Sequence, residues 1–460
     1  MEPAPHGRAT RALVAVSATL SLLTSVLAGV AIQTIESAAD VGTVCFNGGP
    51  PPCPPPVEDG PVGPCAEDVC NYLILGSDSR RGLSPEEQER FGTDRDIGGE
   101  NRTDTIMLVH TDPSREKAVV LTFPRDLWVE IPGRGLGKIN GAFEGGIADG
   151  GPGRMASTIH RLTGLEVNHY LYVDLAGFQG IVDELGGVEL YIPTRLDDPL
   201  TDLHLDPGPQ VLSGHDALGF VRTRHLPCDE RNPDFARIGR QQQFLRALIN
   251  RMLQPGQLAR APGLVRPILG NLRRDPELKI PDLAYLVGQL QGVDTGAVAF
   301  RAVPGTPELI HPAGYPNGLA IVRMDRAAER LFEAIRLGRQ LPPVGAELQG
   351  VPTTPANITV PVVDAGSERA TDVLEVLSLS GFDISEGVVS GTRIDVPLRR
   401  SGIVFGPEDL VPAKVVQQFL PQLDLVEEEG YTGVAVVVSD DYRPAEPGSE
   451  ASVTDGCIEV

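Results

Sequence analysis

The sequence predicts an α/β (α+β) protein, a mixed central sheet flanked by helices, followed by a second, small α/β unit. Three observations carry this. Short apolar runs alternate with helix-period patterns from about residue 71 to 338, the mark of a layered α/β or α+β domain. A Pro- and Gly-rich stretch, QLPPVGAELQGVPTTPA, then breaks the pattern and marks a linker at 339–356. A shorter alternation of the same kind follows at 357–443. With 41% hydrophobic and 22% charged residues over 460 positions, the chain is neither mostly disordered nor a protein of many membrane spans.

The elements follow in order. Apolar runs at 72–75, 105–110, 118–123 and 188–192 have strand lengths and strand boundaries. The second turns through Thr111-Asp112-Pro113-Ser114 into the third, which predicts an antiparallel hairpin. Helical spacing marks 153–162, ending near Gly164, and 175–185, stopped by Gly186-Gly187. A long helix is expected over 234–253, with Asp234 as N-cap and Pro255 beyond its end. Two more are expected at 281–290 and 325–337. In the second unit a strand at 358–363 leads to a helix with Ala370, Val373, Leu374 and Leu377 on one face. Strands at 382–389, 392–396 and 433–438 and a helix at 412–420 complete it, and the acidic tail 444–460 reads as disordered.

The N-terminus sets the expected compartment. Residues 12–35, ALVAVSATLSLLTSVLAGVAIQTI, are uncharged and mostly apolar, and a helix needs about 20 such residues to cross a bilayer. Arg8 and Arg11 precede the run and no basic residue follows until Arg80. The positive-inside rule then leaves residues 1–11 in the cytoplasm and the rest outside the cell membrane. A cleaved signal peptide is the alternative, but the run exceeds a usual signal core. Residues 36–70 hold Cys45, Cys53, Cys65 and Cys70 within GGPPPCPPPVEDGPVGPC and its flanks. Outside the cell these are disulfide candidates, within a Pro-rich spacer that lifts the domain off the membrane. Cys457 and Cys228 form a further candidate pair. Zinc is the rival reading, but the segment has no CxxC and no His.

A net charge of −23 excludes a broad nucleic-acid surface, which needs a basic face. It leaves room for a small anion at a local basic cluster, and the sequence holds two. The first joins three motifs at strand ends: Gly76-Ser77-Asp78-Ser79-Arg80, Arg102-Thr103-Asp104, and Pro124-Arg125-Asp126. In a hairpin the start of one strand and the end of the next share an edge, so Asp104 and Arg125 are expected as neighbours. A first strand parallel to 118–123 would bring Asp78 and Arg80 to them. The second cluster is Val221-Arg222-Thr223-Arg224-His225 with Asp234-Phe235-Ala236-Arg237-Ile238-Gly239-Arg240-Gln241. Arg222 and Arg224 share a face if that segment is extended. Arg237 and Gln241 share a helix face at i, i+4.

Arg237 in the first helical turn is unfavourable unless an anion offsets it. Several guanidinium forks suit a phosphate or pyrophosphate. Asp78 and Asp104 beside them suggest Mg2+ or Mn2+ bridged to phosphate oxygens. The Gly-rich run ending in Lys138 is no nucleotide P-loop, because Ile139 stands where Ser or Thr is needed. His225 is a candidate acid–base group. The plain alternatives are ordinary loop charges for the first cluster and a lattice of surface ion pairs for the second.

The series NYLILGSDSR, NRTDTIMLVH, AVVLTFPRDLWVEIPG, KINGAFEGG, YLYVDLAGFQGIVDELGGVELYIP, LSGHDALGFVRTRH and DFARIGRQQQ closely resembles LytR–CpsA–Psr (LCP) proteins, in order, behind a single anchor. Residues 355–442, with ITVPVVDAGSERATDVLEVLSLSGFDI and VAVVVSDDY, resemble the LytR C-terminal domain, a pairing typical of actinobacterial members. The resemblance implies a phosphotransferase that moves a cell-wall glycopolymer from a polyprenyl-pyrophosphate carrier onto peptidoglycan. By motif match Asp78 and Asp104 hold the metal. Arg102, Arg125, Arg222, Arg224, Arg237, Arg240 and Gln241 bind the diphosphate, and Arg80 and Lys138 assist. An apolar pocket is expected for the polyprenyl tail. Asp78 or Asp126 is the proton acceptor. The actinobacterial pattern favours arabinogalactan or a related wall glycan over teichoic acid. A hydrolase of the same carrier, and a non-catalytic wall-polymer binding or regulatory protein, are the rival readings.

Overall fold

The computed structural model describes residues 43–53, 61–66, 69–79, 85, 88, 103–112, 117–224, 226, 233–254, 267–279, 298–312, 314–341, 355–384, 386–390 and 400–444. Among these no helix is long and apolar enough to cross a membrane. The expected anchor at 12–35, Cys228, Cys457 and the helix expected at 281–290 lie outside the described residues.

The centre is a six-stranded mixed sheet. Its strands are β1 (Cys70–Ser77), β2 (Thr103–Asp112), β3 (Lys117–Phe123), β6 (His169–Val173), β11 (Arg273–Arg274) and β12 (Val298–Ala302), in the order β11-β6-β1-β2-β3-β12. β2 and β3 form the expected antiparallel hairpin. β1 is antiparallel to β2 and parallel to β6, so β1 and β3 run the same way and end at one edge. Gly76 at the end of β1 opposes Thr105, and a Cβ there would come within 2.9 Å of the Thr105 Cβ.

Side chains alternate between faces, and both faces are covered. Leu73, Leu75, Ile106, Leu108, Leu121 and Phe123 pack in one core with helices α1 (Gly151–Thr163) and α5 (Arg326–Arg336). Tyr72, Met107, Val109, Val120 and Phe300 pack on the other face. A fully buried side chain of this size contributes about 1.5–3 kcal/mol over leaving it exposed, so each face has its own reason to hold register.

Around the sheet, β4 (Trp128–Ile131) pairs with β5 (Gly135–Lys138), so the Gly-rich run is a hairpin. Helix α2 (Leu175–Glu184) is capped by Asp174, whose carboxylate accepts from the Gly177 amide at 2.8 Å. β7 (Val188–Ile192) forms where expected but pairs with β10 (Gly208–Leu212), outside the central sheet. A second small ribbon joins β8 (Leu196–Asp198) to β9 (Leu203–Leu205). Helix α3 (Gly214–Arg222) starts at Ser213, whose hydroxyl accepts from the Asp216 amide. The long helix α4 (Pro233–Leu253) starts one residue before the expected Asp234 cap, with Pro233 at its first position, where a missing N–H costs nothing. β13 (Gly305–Ile310) and β14 (Leu319–Met324) form a hairpin before α5.

The expected spacer is corrected. Its described parts pack on the domain and do not hold it away. Cys45 and Cys53 are bonded to each other, as are Cys65 and Cys70. Val44 donates its amide to the Arg274 carbonyl, Tyr170 Oη donates to the Val44 carbonyl, and Val62 bridges Val167. Phe46 meets the Tyr170 ring edge-on at 4.9 Å. The reason is apolar surface: Phe46 and Val62 both pack against the larger core.

Among the described residues the second unit is a five-stranded sheet with two α-helices, α6 (Ala370–Leu379) and α7 (Leu410–Phe419). Its strands are β15 (Val362–Asp364), β16 (Val388–Ser390), β17 (Gly402–Phe405), β18 (Leu425–Glu427) and β19 (Val434–Val438), ordered β16-β15-β19-β17-β18. Both helices form near their expected places. The strand read at 358–363 is confined to its end, and the strand read at 382–389 to residues 388–390. Residues 358–360 and 382–383 are held instead by the Thr359–Asp383 bridge and neighbouring backbone bonds. β17 and β18 were not foreseen, because a four-residue and a three-residue run carry too little period to read. The strand expected at 392–396 lies outside the described residues. This unit meets α4 at Gly381, where a Cβ would lie 2.8 Å from the Gln243 side chain.

Candidate active site

One cavity of about 510 Å³ opens between the central sheet and helices α2, α3 and α4. Its wall is apolar: Ile74 and Met107 from the sheet, Phe178, Ile181 and Val182 from α2, Leu218 and Val221 from α3, and Phe244, Leu245 and Leu248 from α4. Its polar end lies where β1 stops and β2 begins. There Asp78 and Asp104 line it with Arg125, Arg222, Arg224, Arg237 and Gln241.

Asp104 is the hub. Its Oδ1 accepts from Arg125 at 2.8 Å, and its Oδ2 accepts from Arg224 and Arg237, each at 3.1 Å. Arg237 also donates to the Asp104 carbonyl at 3.3 Å. Burial would raise this carboxyl's pKa. The charges of Arg237 and Arg125, the Arg125 hydrogen bond and the Arg224 charge outweigh that and bring it down to about 2. Arg237 is the fifth residue of α4 and only 2% exposed. The anion expected to offset it is Asp104.

Local structure explains how the arginines reach one place. Arg222 is not in an extended segment as expected. It is the last residue of α3, and the chain turns extended at Thr223 (φ −57°, ψ 143°). The Ser213-Gly214-His215-Asp216 cap was the available signal for that helix. Both arginines still line the cavity. Helix α4 then ties the parts together. Arg240 donates to the Thr223 carbonyl at 2.6 Å, Gln241 to the Val221 carbonyl at 3.3 Å, and Gln242 to Thr122 Oγ1 at 3.3 Å.

Not every candidate lines the cavity. Arg240 braces the α3 end. Lys138 Nζ lies 2.9 Å from Asp126 Oδ1, and Asp126 Oδ2 lies 3.9 Å from Arg125 Nε, so this pair stands beside the cavity and braces Arg125. Arg80, Arg102 and His225 lie outside the described residues. The residues that sequence reasoning missed are the wall. Phe178, Phe244 and Leu248 carry no signal that separates them from core, because helix-period apolar residues serve both.

The LytR_cpsA_psr family matches residues 58–330 of this chain. The chain belongs to the LytR_cpsA_psr family. Every residue named above at the cavity falls inside the matched stretch. The chain is 35% identical over 266 residues to the probable cell wall biosynthesis protein LcpB of Corynebacterium glutamicum, a match that spans 58% of this chain and 61% of that one. It is 28% identical over 478 residues to the cell wall biosynthesis protein LcpA of the same organism, across 96% of this chain and 88% of LcpA. It is 34% identical over 207 residues to the polyisoprenyl-teichoic acid–peptidoglycan teichoic acid transferase TagU of Oceanobacillus iheyensis, across 45% of this chain and 58% of TagU.

Proposed function

We propose that this protein is a membrane-anchored, extracytoplasmic phosphotransferase that moves a glycopolymer from a polyprenyl-pyrophosphate carrier to peptidoglycan. One observation carries the reading: an arginine-crowded, carboxylate-bearing mouth opens into an apolar cavity. That is the chemistry of a ligand with a diphosphate head and a long hydrocarbon tail. Its family relative TagU, named for a polyisoprenyl-linked donor and a peptidoglycan acceptor, supports the same reading, as do the cell-wall names of LcpA and LcpB. Residues 12–35 serve as the anchor, with the domain outside the cell.

The donor set fits Mg2+ or Mn2+. Asp104 is ionised at any ordinary pH, and its Oδ1, which accepts from Arg125 alone, keeps an acceptor site, while Oδ2 is taken by Arg224 and Arg237. Asp78 lines the same cavity, and Mg2+ commonly uses one or two carboxylates with substrate phosphates. When bound, the ion adds positive charge at the diphosphate.

The chain's own residues do the rest. Arg125, Arg224 and Arg237, already ordered around Asp104, receive the diphosphate and stabilise the charge that grows on it as polyprenyl phosphate leaves. A muramyl hydroxyl attacks the polymer-linked phosphorus. Of the two proton acceptors offered by the sequence, Asp78 lines the cavity while Asp126 is paired with Lys138, so Asp78 takes that role. The cleaved pyrophosphate bond supplies the driving force, so no nucleotide is required.

The test is incubation with a synthetic polyprenyl-pyrophosphate glycan, Mg2+ and peptidoglycan fragments. Ligated product, lost in excess chelator and restored by Mg2+, is the expected result. Release of polymer phosphate without ligation makes it a hydrolase. Binding without turnover makes it a non-catalytic wall-polymer protein.

A further inference from the structure

At the end of β1 away from the cavity stands a second polar group of residues. Cys70 opens β1 and is bonded to Cys65, five positions earlier. His169 opens the neighbouring β6, and its Nε2 lies 3.6 Å from Cys65 Sγ. Its Nδ1 lies 3.1 Å from Asp275 Oδ1. Asp275 is itself fixed: its carboxylate accepts from the amides of Tyr170, Glu277 and Leu278. The imidazole is therefore aimed at the sulfur from behind. Cys65 is partly exposed, whereas Cys70 is buried.

The surrounding loop has ties of its own. Asn168 Nδ2 donates to the carbonyls of Gly63 and Pro64, and the Asn71 amide donates to Asn168 Oδ1. Val62 bridges Val167. None of these contacts is made through the two sulfurs. Among the described residues the Cys45–Cys53 bond has no histidine in a comparable cluster; like the other bond it joins a buried cysteine, Cys45, to a partly exposed one, Cys53, so the histidine is what sets the two apart.

We infer that Cys65–Cys70 is a redox-reactive disulfide, opened by a dithiol, in which Cys65 becomes a thiolate paired with His169. One sulfur of the dithiol attacks the partly exposed Cys65 Sγ. The S–S bond breaks, and Cys70 leaves and takes up a proton. The second sulfur of the dithiol then attacks the mixed disulfide and releases the Cys65 thiolate. Two electrons pass to the protein, and the dithiol becomes a cyclic disulfide. Of its two protons, one ends on Cys70 and one on His169. A cationic neighbour favours the thiolate, and stabilising the reduced form makes a disulfide easier to reduce. Among the described residues, besides the two sulfurs, His169 meets Asp275 and Tyr72, whose ring stacks on the imidazole at 5.5 Å; Arg273 and Arg274 stand on the adjoining β11, opposite Tyr172 and Leu171. The inference does not depend on what the cavity binds.

The experiment uses the full chain, graded dithiothreitol and iodoacetamide trapping at pH 6, read by peptide mass spectrometry. An ordinary thiol, with a pKa of about 8.5, is almost wholly protonated there. Cys65–Cys70 is expected to open at lower dithiothreitol than Cys45–Cys53, and Cys65 to alkylate at least about tenfold faster than Cys70. His169→Gln should remove that advantage while leaving the melting temperature near that of the wild type. Three outcomes overturn the inference: Cys45–Cys53 opens first, Cys65 reacts at pH 6 no faster than Cys70, or the reduced wild-type chain binds one equivalent of Zn2+ that shields both thiols. The wild-type measurement stands alone if the variant fails to fold.

Discussion

The mouth and the wall of the cavity are built by opposite rules. At the mouth four arginines stand with two carboxylates, Asp78 and Asp104, and Asp104 alone answers three of the arginines. Along the wall, side chains from α2, α3, α4 and the sheet present only apolar surface. The mouth discriminates by charge and geometry. The wall discriminates by length and apolar area, at about 25 cal/mol per Å² buried. A ligand that uses both must be amphipathic, and each half can be broken without the other.

The largest effect should come from Asp104→Asn. Removing the charge takes the Asp104 carboxylate away from Arg237, which is almost fully buried. Breaking a buried pair from one side costs about 3–5 kcal/mol. We expect a loss near the lower end, since the Asp104 side chain is 23% exposed, together with loss of turnover. Urea unfolding that matches the wild type would show that the hub is not structural.

Arg224→Ala sharpens the mouth. A charge-assisted hydrogen bond contributes about 1.5–3 kcal/mol, so affinity for a polyprenyl-pyrophosphate analogue should fall about tenfold or more. Arg224→Lys should recover only part, because Lys lacks the planar fork. An affinity unchanged within error in calorimetry would return the cluster to a surface ion-pair lattice.

Ile181→Trp tests the wall. Ile181 lines the cavity and is only half-buried, so a larger ring fills space with little strain. Displacing about 55 Å² of tail contact costs about 1.4 kcal/mol, or tenfold. Long-chain carriers should weaken by that factor while inorganic pyrophosphate binds as before. Equal weakening of both would mean that the change reached the mouth.

The same contrast explains what was legible. Asp104, Arg125, Arg224 and Arg237 stood out because charged residues at strand ends and helix starts have few structural reasons to cluster. The β2–β3 hairpin and the shared edge followed from one short turn. The wall stayed hidden because Phe178 and Phe244 keep the same spacing whether they fill a core or line a cavity. Arg240 and Lys138 were read as ligand-binding by their company. Only three-dimensional contacts assign them to brace Thr223 and Asp126. The packed segment at 43–53 was read as spacer because proline content outweighed Phe46, whose partner Tyr170 is remote in sequence.

An acid titration of the hub tests its charge directly. The Asp104 carboxyl lies at about 2 in the folded protein, below its ordinary 3.8. A depressed carboxyl contributes stability that is fully present above the unfolded value and is lost as pH falls through the folded one. The contribution is therefore whole above about pH 4 and fades toward pH 2. At about 1.4 kcal/mol per pH unit it amounts to roughly 2 kcal/mol. Other carboxylates titrate in the same range, so the useful quantity is the difference between wild type and Asp104→Asn. Urea unfolding at steps between pH 5 and pH 2 should show the wild-type advantage shrinking across that window. An advantage that stays constant to pH 2 would mean that Asp104 is not held ionised by its arginines, and the mouth would lose its central charge.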